Sequence, residues 1–228
     1  MKKISFITIM FIAASSLASC ADMRREPVDI ARNVVSQATD TVNRFSSMPD
    51  LKGFAEYMPA ARGIVVLPNV IKGGLMFGGE GGNGVLLVRR ANGSWSQPAF
   101  YILGAASFGI QAGLQNTEII LLLQSDKAID AVIDHQGKLG ADAGITVGMI
   151  GAGAEVSTTT NIGLDVLAFA NAKVGLFGGA SLEGAVLARR TDLNEAYYGM
   201  GAGPRDILFG NAFANAQSGG LRAALGAE

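Results

Sequence analysis

The sequence predicts an α+β domain built on a glycine-rich, largely antiparallel sheet, which is either curved and open or closed into a flattened barrel. Glycine occupies 31 of 228 positions, nearly twice its usual share of about 7%, and stands among Val, Ile, Leu and Phe as in strands with tight turns. Strand-like runs fill the middle of the chain, and helical patterns precede, interrupt and follow them. A chain of this length supports one substantial core, so residues 27–228 are predicted to form a single domain.

The N-terminal stretch MKKISFITIMFIAASSLASC has the order of a secretory signal, with two lysines, an apolar run and then small residues. The apolar run from Ile4 to Leu17 is shorter than the roughly 18 to 20 residues that cross a bilayer. The letters LASC resemble the bacterial lipobox, in which the cysteine becomes the lipidated first residue, and Cys20 is the only cysteine in the chain. We predict a signal peptide over residues 1–19 and a palmitate-type acyl anchor on Cys20, with an ordinary cleaved signal and an incidental cysteine as the alternative.

Residues 20–26 are predicted to form a short polar tether between the anchor and the domain. Ala21, and not aspartate, follows Cys20, and the sorting habit of Gram-negative bacteria then places such a lipoprotein in the outer membrane, facing the periplasm. Without residues 1–19, 18 basic residues less Lys2 and Lys3 stand against 19 acidic ones, a net charge of −3. This balance excludes a general nucleic-acid footprint, which requires a strongly basic domain.

Helical patterns occupy residues 27–58. From Pro27 to Phe45, apolar residues recur at steps of three and four, which predicts an amphipathic helix with proline in its first turn. Its charges cancel, whereas a helix for an anionic membrane surface normally has a basic polar face, so docking onto the protein's own core is expected. A second short helix is predicted from Pro49 to about Met58.

The strand-rich core is predicted over residues 63–210. Its first block runs from GIVVLPNV to TEIILLLQ, with a tight hairpin turn at Asn92-Gly93, and its second runs from GITVGMIGAGAEVS to GAVLARR. Between the blocks, SDKAIDAVID predicts a short helix with a serine N-cap. TDLNEAYYG and PRDILFGNAFANA are predicted to be helical, and residues 211–228 to form a C-terminal tail.

One phrase occurs twice, one hundred residues apart: FGG, followed at fixed distances by glycine, leucine and Arg-Arg. Residues 77–90 and 177–190 are identical at seven of fourteen positions. Each block has too few strands to bury a face alone, so the repeat predicts two similar halves of one sheet and not two domains. Convergent turn chemistry without duplication is the alternative.

The motifs argue against an enzyme. Residues 79–84 satisfy GxGxxG, but VLLVRR follows where a dinucleotide site needs a helix, and no GxxxxGK[ST] phosphate loop occurs. His135 is the only histidine, no GxSxG elbow accompanies it, and the core has no second histidine or cysteine to help it hold zinc. We interpret His135 as an exposed residue at a helix end, and we predict no cofactor, no metal site and no catalytic residue.

The two Arg-Arg pairs, Arg89-Arg90 and Arg189-Arg190, are the remaining candidates for a binding site. Adjacent side chains of a strand point to opposite faces, so at most one arginine of each pair serves any one site. If the two halves are related by approximate symmetry, one arginine of each pair lines a shared surface for a lipid phosphate, a task that suits the guanidinium fork. Solvated strand ends that discourage edge pairing are the alternative.

The chain resembles the SYLF domain family over about residues 60 to 210. The resemblance rests on a motif series in the right order, IVVLPNVIKGG, GNGVLLVRRANGSWSQPAFYILGAASFGIQAG, KLGADAGITVG and KVGLFGGASLEGAVLARR followed by NEAYYG. It implies a lipid-binding module. Eukaryotic members associate with phosphoinositide membranes, some bind actin filaments, and bacterial members are exported. A periplasmic protein meets neither actin nor phosphoinositides, so lipid binding is the property expected to transfer.

The leading hypothesis is a non-enzymatic lipoprotein of the bacterial cell envelope that binds phospholipid or another amphiphile. Its predicted head-group contacts are Lys72, Arg89, Arg90, Arg189 and Arg190. The second hypothesis is an envelope scaffold that binds another protein, of unspecified identity, through an exposed sheet edge or the N-terminal helix. A hydrolase centred on His135 is the least favoured.

Overall fold

The computed structural model describes residues 26–74, 77–108, 113–134, 147–151, 165–174 and 185–226, so Cys20 and His135 lie outside the described residues. The α-helices in these parts are α1 (Pro27–Ser47), α2 (Lys52–Tyr57), α3 (Asp126–Asp134), α4 (Thr191–Tyr198), α5 (Pro204–Phe209) and α6 (Gly219–Ala224). The 3-10 turns are Pro49–Leu51, Met58–Ala60 and Ala216–Ser218. The strands are β1 (Gly63–Gly74), β2 (Phe77–Val88), β3 (Ala99–Phe108), β4 (Gly113–Leu123), β5 (Val147–Gly151), β6 (Val166–Val174) and β7 (Val186–Arg189).

The seven strands form one sheet in the order β5-β6-β4-β1-β2-β3-β7. All neighbouring strands are antiparallel except β5 and β6, which run parallel. The predicted α+β class with a largely antiparallel sheet is confirmed. Among the described strands the sheet is open, with β5 and β7 at its two ends, so of the two predicted forms the curved sheet holds and the closed barrel does not.

Both faces of the sheet are covered, which explains why its strands have nearly continuous apolar runs and not alternating ones. On β1, Ile64 and Val66 belong to a buried cluster with α1, α2, α4 and α6; we call this side of the sheet the α1 face. Val65 and Leu67 belong to a second buried cluster with α3 and α5; we call this side the α3 face.

Helix α1 begins at Pro27, as predicted, and docks onto the protein's own sheet. Its Ala38 and Val42 are fully buried, and Phe45 packs edge-on against Phe54 of α2 with ring centroids 5.9 Å apart. Burial of each large apolar side chain contributes about 1.5–3 kcal/mol, so this stripe holds the helix in place. No described helix combines the length and the apolar character that a membrane span requires.

A bulge in β1 explains the glycines of β2. The register of β1 shifts between Val66 and Ile71 against β2, at the point where Pro68 has no N–H to donate to the ladder. A Cβ on Gly82 would lie 2.1 Å from the carbonyl oxygen of Asn69, which bulges towards β2. The GxGxxG match of residues 79–84 is therefore part of a strand whose backbone approaches its neighbour closely, and no helix opens after it.

The repeated phrase lies on two strands that flank the same neighbour. Strands β2 and β7 both pair antiparallel with β3, and Tyr101 of β3 has Gly84 on one side and Arg189 on the other. Corresponding residues of the two copies therefore do not lie opposite the same residue of β3. In the described strands the copies share one half of the sheet, at its β7 end, and do not form two symmetric halves; most of the second copy lies outside the described residues.

The predicted hairpin turn at Asn92-Gly93 is confirmed. Gly93 has a φ of 84°, a conformation that glycine adopts without steric cost, and its N–H donates to the carbonyl oxygen of Arg90 at 2.9 Å. Arg89 and Trp95 then pair across the turn.

The C-terminal residues differ from the predicted tail. Helix α5 ends at Phe209, and does not continue to residue 216, because the backbone turns extended at Gly210, where a Cβ would lie 2.5 Å from the carbonyl oxygen of Asp206. Leu221 and Leu225 are buried against the α1 face. The segment of residues 211–226 therefore contributes side chains to the core.

Candidate functional site

The structure does not bring the five predicted head-group residues together. Lys72 lies on β1 opposite Glu80 of β2, and Arg89 follows Glu80 by nine residues, which is roughly 30 Å along a strand. Arg189 lies at the end of β7, opposite Tyr101. The five cations thus occupy three separate places on the sheet.

The Arg89 guanidinium group makes hydrogen bonds to backbone carbonyl groups of the same domain. Its Nε donates to the carbonyl oxygen of Ala61 at 3.1 Å, and its Nη2 donates to that of Met58 at 3.2 Å. The guanidinium group also lies 4.4 Å from the centroid of the buried Trp95 ring, at a cation–π distance. These contacts connect β2 to the segment that follows α2.

Arg90 and Arg190 also have partners within the domain. Arg90 donates to the carbonyl oxygen of Gly210 at 2.7 Å and to Asn211 at 2.9 Å. Arg190 makes a two-point contact with Asp192 at 2.9 and 2.7 Å and donates to Asn83 at 2.6 Å. The hydrogen bonds from Arg190 lower the pKa of the Asp192 carboxyl, because they stabilise its charged form.

Within each pair the two arginines reach different parts of the protein, as strand alternation predicts. Arg89 reaches the carbonyl groups after α2, on the α1 face, while Arg90 reaches the end of α5, which covers the α3 face. Arg190 contacts Asn83 of β2, and Arg189 lies beside Tyr101 of the α3 cluster.

Lys72 faces a buried carboxyl group that the sequence analysis did not single out. Its Nζ lies 3.9 Å from Oε2 of Glu80, whose side chain is only 5% exposed, while that of Lys72 is 32% exposed. Among the described residues, Oε1 of Glu80 is buried without a hydrogen-bond partner. Burial raises the pKa of Glu80, and the charge of Lys72 opposes that rise in part.

The signal for this pair was present in the sequence. Glu80 is the one charged residue in the glycine-rich stretch of residues 77–84, on a strand where a charge normally remains solvated. Its pairing with Lys72 depends on the register across the β1 bulge, which sequence spacing does not give.

A second buried carboxyl group, Glu118 of β4, holds α1 against the sheet. Thr41 Oγ1 donates to its Oε1 at 2.7 Å, and Asn171 Nδ2 donates to its Oε2 at 3.0 Å. Arg44 Nε lies 3.0 Å from the same Oε2, and the Glu118 side chain is fully buried. Because this carboxylate has a cation and two donors around it, its role is structural.

The described residues contain no group of three or more His, Cys, Asp or Glu side chains that could hold a metal ion. The arrangement instead presents a paired cation and carboxyl group on the α3 face and an exposed arginine at the edge strand. Both are suited to binding polar groups by charge and hydrogen bonds.

The open seven-stranded sheet, covered by helices on both faces, defines an α+β domain. Within this class, the family model for Ysc84, described as "Las17-binding protein actin regulator", matches residues 104–228, more than half of the chain. The chain belongs to this family, and the resemblance to SYLF domain proteins is confirmed.

Individual relatives agree with this assignment. The SH3 domain-containing YSC84-like protein 1 of Bos taurus is 28% identical over 193 residues, which are 82% of this chain and 56% of the cattle protein. Protein YSC84 of Saccharomyces cerevisiae is 30% identical over 152 residues, 66% of this chain and 32% of the yeast protein. LAS seventeen-binding protein 3 of the same yeast is 28% identical over 157 residues, 68% and 34% of the two chains.

The chain therefore spans about half, or less, of the length of these relatives. The family's description is that of a binding and regulatory protein, which supports a non-enzymatic binding role at the level of the family.

Proposed function

We propose that this protein is a non-enzymatic, lipid-binding lipoprotein of the bacterial cell envelope, anchored through an acylated Cys20. Its place is the outer membrane, facing the periplasm, and it works without a cofactor. Membership of a binding family supports the first part, and the lipobox-like LASC supports the anchor.

The observation that carries the proposal is the short stretch of sequence between Cys20 and the start of the fold. Six residues, 21–26, separate the cysteine from Pro27, the first residue of α1. The seven residue steps from Cys20 to Pro27 reach at most about 25 Å when fully extended. Acylation of Cys20 therefore keeps the whole domain beside the head groups of the bilayer.

The contacts favour Lys72 and Arg189 among the five head-group candidates. Arg89, Arg90 and Arg190 already donate to protein acceptors, and lipid phosphate would have to displace those bonds. Arg189 is exposed and makes no hydrogen bond or ion pair with its guanidinium group in the described part of the chain. Among the described residues, the ion pair of Lys72 is the 3.9 Å contact with Glu80.

The anchor is tested by expressing the full chain and its Cys20→Ala variant in a Gram-negative host. Acylation predicts a diacylglycerol-modified cysteine in the N-terminal peptide by mass spectrometry, and retention of the wild type, but not the variant, in the outer-membrane fraction. An unmodified Cys20 in the mature protein would reject the anchor.

Lipid binding is tested separately with residues 20–228 carrying Cys20→Ser, so that no anchor contributes. We expect co-sedimentation with phospholipid vesicles and co-purified lipid in native mass spectra. Absence of binding to zwitterionic and anionic vesicles alike would reject lipid binding and leave the anchor result untouched.

A protein-binding role is the second candidate, favoured by the family's description as Las17-binding and by the name of LAS seventeen-binding protein 3. Crosslinking in intact cells would test it. Recovery of one envelope protein, lost when the exposed edge strand β7 is altered at Arg189→Glu, would support this role, and recovery of none would count against it.

A hydrolase centred on His135 has the least support, since the family's description is of a regulator that binds. Replacement of His135 by alanine should leave complementation of a deletion strain intact. Loss of complementation by a folded variant would reopen the enzymatic reading.

A further inference from the structure

The two oxygens of the Glu80 carboxyl group have different surroundings. Oε2 faces Lys72 Nζ at 3.9 Å, which is longer than an ordinary hydrogen bond. Oε1 is buried and has no donor among the described residues. A buried carboxyl oxygen without a donor is costly, because it has lost water and gained nothing in return.

Apart from Lys72, the register and strand neighbours of Glu80 carry small side chains or none. Its register partners on the same face are Lys72 on one side and Ala105 on the other. Two residues away along its own strand stand Gly78 and Gly82, neither of which has a side chain. Lys72 is therefore the one long side chain among these neighbours, while the backbone of Asn69 takes the space beside Gly82, 2.1 Å from the position of a Cβ there.

The Glu80 side chain lies deeper in the protein than the Lys72 side chain. Glu80 is almost fully buried at the end of the α3-face core, whereas about a third of the Lys72 side chain remains in solvent at 32% exposure. The terminal torsion of a glutamate is soft, so a turn of the carboxyl group brings Oε1 towards the exposed lysine. A ligand that enters past Lys72 therefore meets the cation first and the carboxylate second.

We propose that Lys72 and Glu80 together bind the head group of a phospholipid that carries a primary ammonium group, the phosphoethanolamine type. The ammonium donates to Glu80 Oε1, and the phosphate contacts Lys72 Nζ. In such a lipid the ammonium is the outermost group and the phosphate lies between it and the acyl chains, which matches the order of depth of the two side chains. This inference rests on the proposed lipid-binding function and specifies its ligand.

Charge favours this head group over an anionic one. The charges of Lys72, the phosphate, the ammonium and Glu80 alternate in sign and add up to zero, so binding leaves no net charge at a partly buried site. A head group with a phosphate alone would meet the Glu80 carboxylate as a like charge. A phosphocholine head group has the same charges but no N–H donors, so it cannot satisfy the orphaned oxygen.

The experiment uses residues 20–228 with Cys20→Ser and three kinds of vesicle: phosphatidylcholine alone, and phosphatidylcholine mixed with phosphatidylethanolamine or with phosphatidylglycerol. We expect tightest binding to vesicles that contain phosphatidylethanolamine. Glu80→Gln should remove this preference, a loss of about tenfold, because it removes a charged acceptor. Lys72→Gln should weaken binding to phosphatidylcholine and phosphatidylethanolamine alike.

The matched control is Asp126→Asn, which makes the same carboxyl-to-amide change at an exposed ion pair with Arg62, 2.8 Å apart and 65% exposed at the aspartate. It should leave the preference intact. Far-UV circular dichroism and thermal unfolding verify the fold of each variant, and soluble glycerophosphoethanolamine, but not glycerophosphocholine, should compete with the vesicles.

The outcomes separate the two proposals. Lipid binding that prefers phosphatidylglycerol, or a phosphatidylethanolamine preference that survives Glu80→Gln, would overturn the assignment of the head group while lipid binding stands. Absence of binding to all three kinds of vesicle would overturn both.

Discussion

The close contact between β1 and β2 at Gly82 gives a sharp test of the fold. Substitution of Gly82 by alanine would place a Cβ 2.1 Å from the carbonyl oxygen of Asn69 and 3.0 Å from Cα of Val70. These are backbone atoms of a bulge, so relief requires the two central strands to separate and not merely a side chain to move. Gly104, on the next strand, has nothing within 4 Å of the same hypothetical atom.

The expected effects have opposite signs. Overpacking of a buried contact costs about 1–3 kcal/mol, and we expect Gly82→Ala near the upper end, about 3 kcal/mol, because the overlap is with backbone. At roughly 2–4 °C per kcal/mol for a chain of this size, the melting temperature should fall by about 6–12 °C. Gly104→Ala should be neutral or stabilise by about 0.4–1 kcal/mol, because it restricts only the unfolded chain.

Thermal unfolding by circular dichroism, with urea unfolding for the free energy, measures both variants side by side. If Gly82→Ala is no less stable than Gly104→Ala, then β1 and β2 do not approach at the bulge as described. The explanation of the GxGxxG glycines as close-approach positions would then be wrong.

Three further outcomes are expected. Thr41→Val should lower the free energy of unfolding by about 2 kcal/mol, since it removes a hydrogen bond to the buried Glu118 carboxylate. Thr39→Val loses only a hydrogen bond within its own helix and should change the free energy of unfolding by less than about 0.5 kcal/mol. Similar losses in the two variants would contradict the structural role of Glu118. Burial raises the pKa of the Glu80 carboxyl group above its usual value of 4.5. Its contribution to stability is therefore fully present in acid and is lost as the pH rises through the folded-state pKa. Wild type should lose stability relative to Glu80→Gln as the pH rises above 4.5, and a constant difference would refute this. Deletion of residues 219–228 should shift Trp95 fluorescence to the red and increase its quenching by acrylamide, since the buried indole loses its acceptor in the last turn; unchanged emission would mean that this segment does not cover the ring.

Much of the fold could be predicted because it depends on local patterns. The helix from Pro27, the strand runs and the turn at Asn92-Gly93 follow from residue periodicity and from the allowed backbone conformations of glycine and proline. The resemblance to SYLF domain proteins also came from contiguous phrases. By contrast, the end of α5 at Gly210 was missed, because the apolar residues beyond it continue a helical pattern that the backbone does not follow.

The candidate site was only partly predictable. Strand alternation separated the two arginines of each pair correctly. Three of the five predicted contacts, Arg89, Arg90 and Arg190, instead donate hydrogen bonds to acceptors within the domain. Glu118 was missed because its partner Thr41 is 77 residues away, and Arg90 reaches Asn211 across 121 residues. Spacing along the chain contains no information about such contacts.

The sequence by itself therefore determined the helix that begins at Pro27, the strand runs, the turn at Asn92-Gly93 and the family to which the chain belongs. These follow from steric rules and hydrophobic periods that act over a few residues. Only the tertiary structure decided which charged side chains are already paired within the domain and which remain available to bind a ligand. Strand order and the register across the β1 bulge place Lys72 beside Glu80, and both arise from packing of the whole sheet.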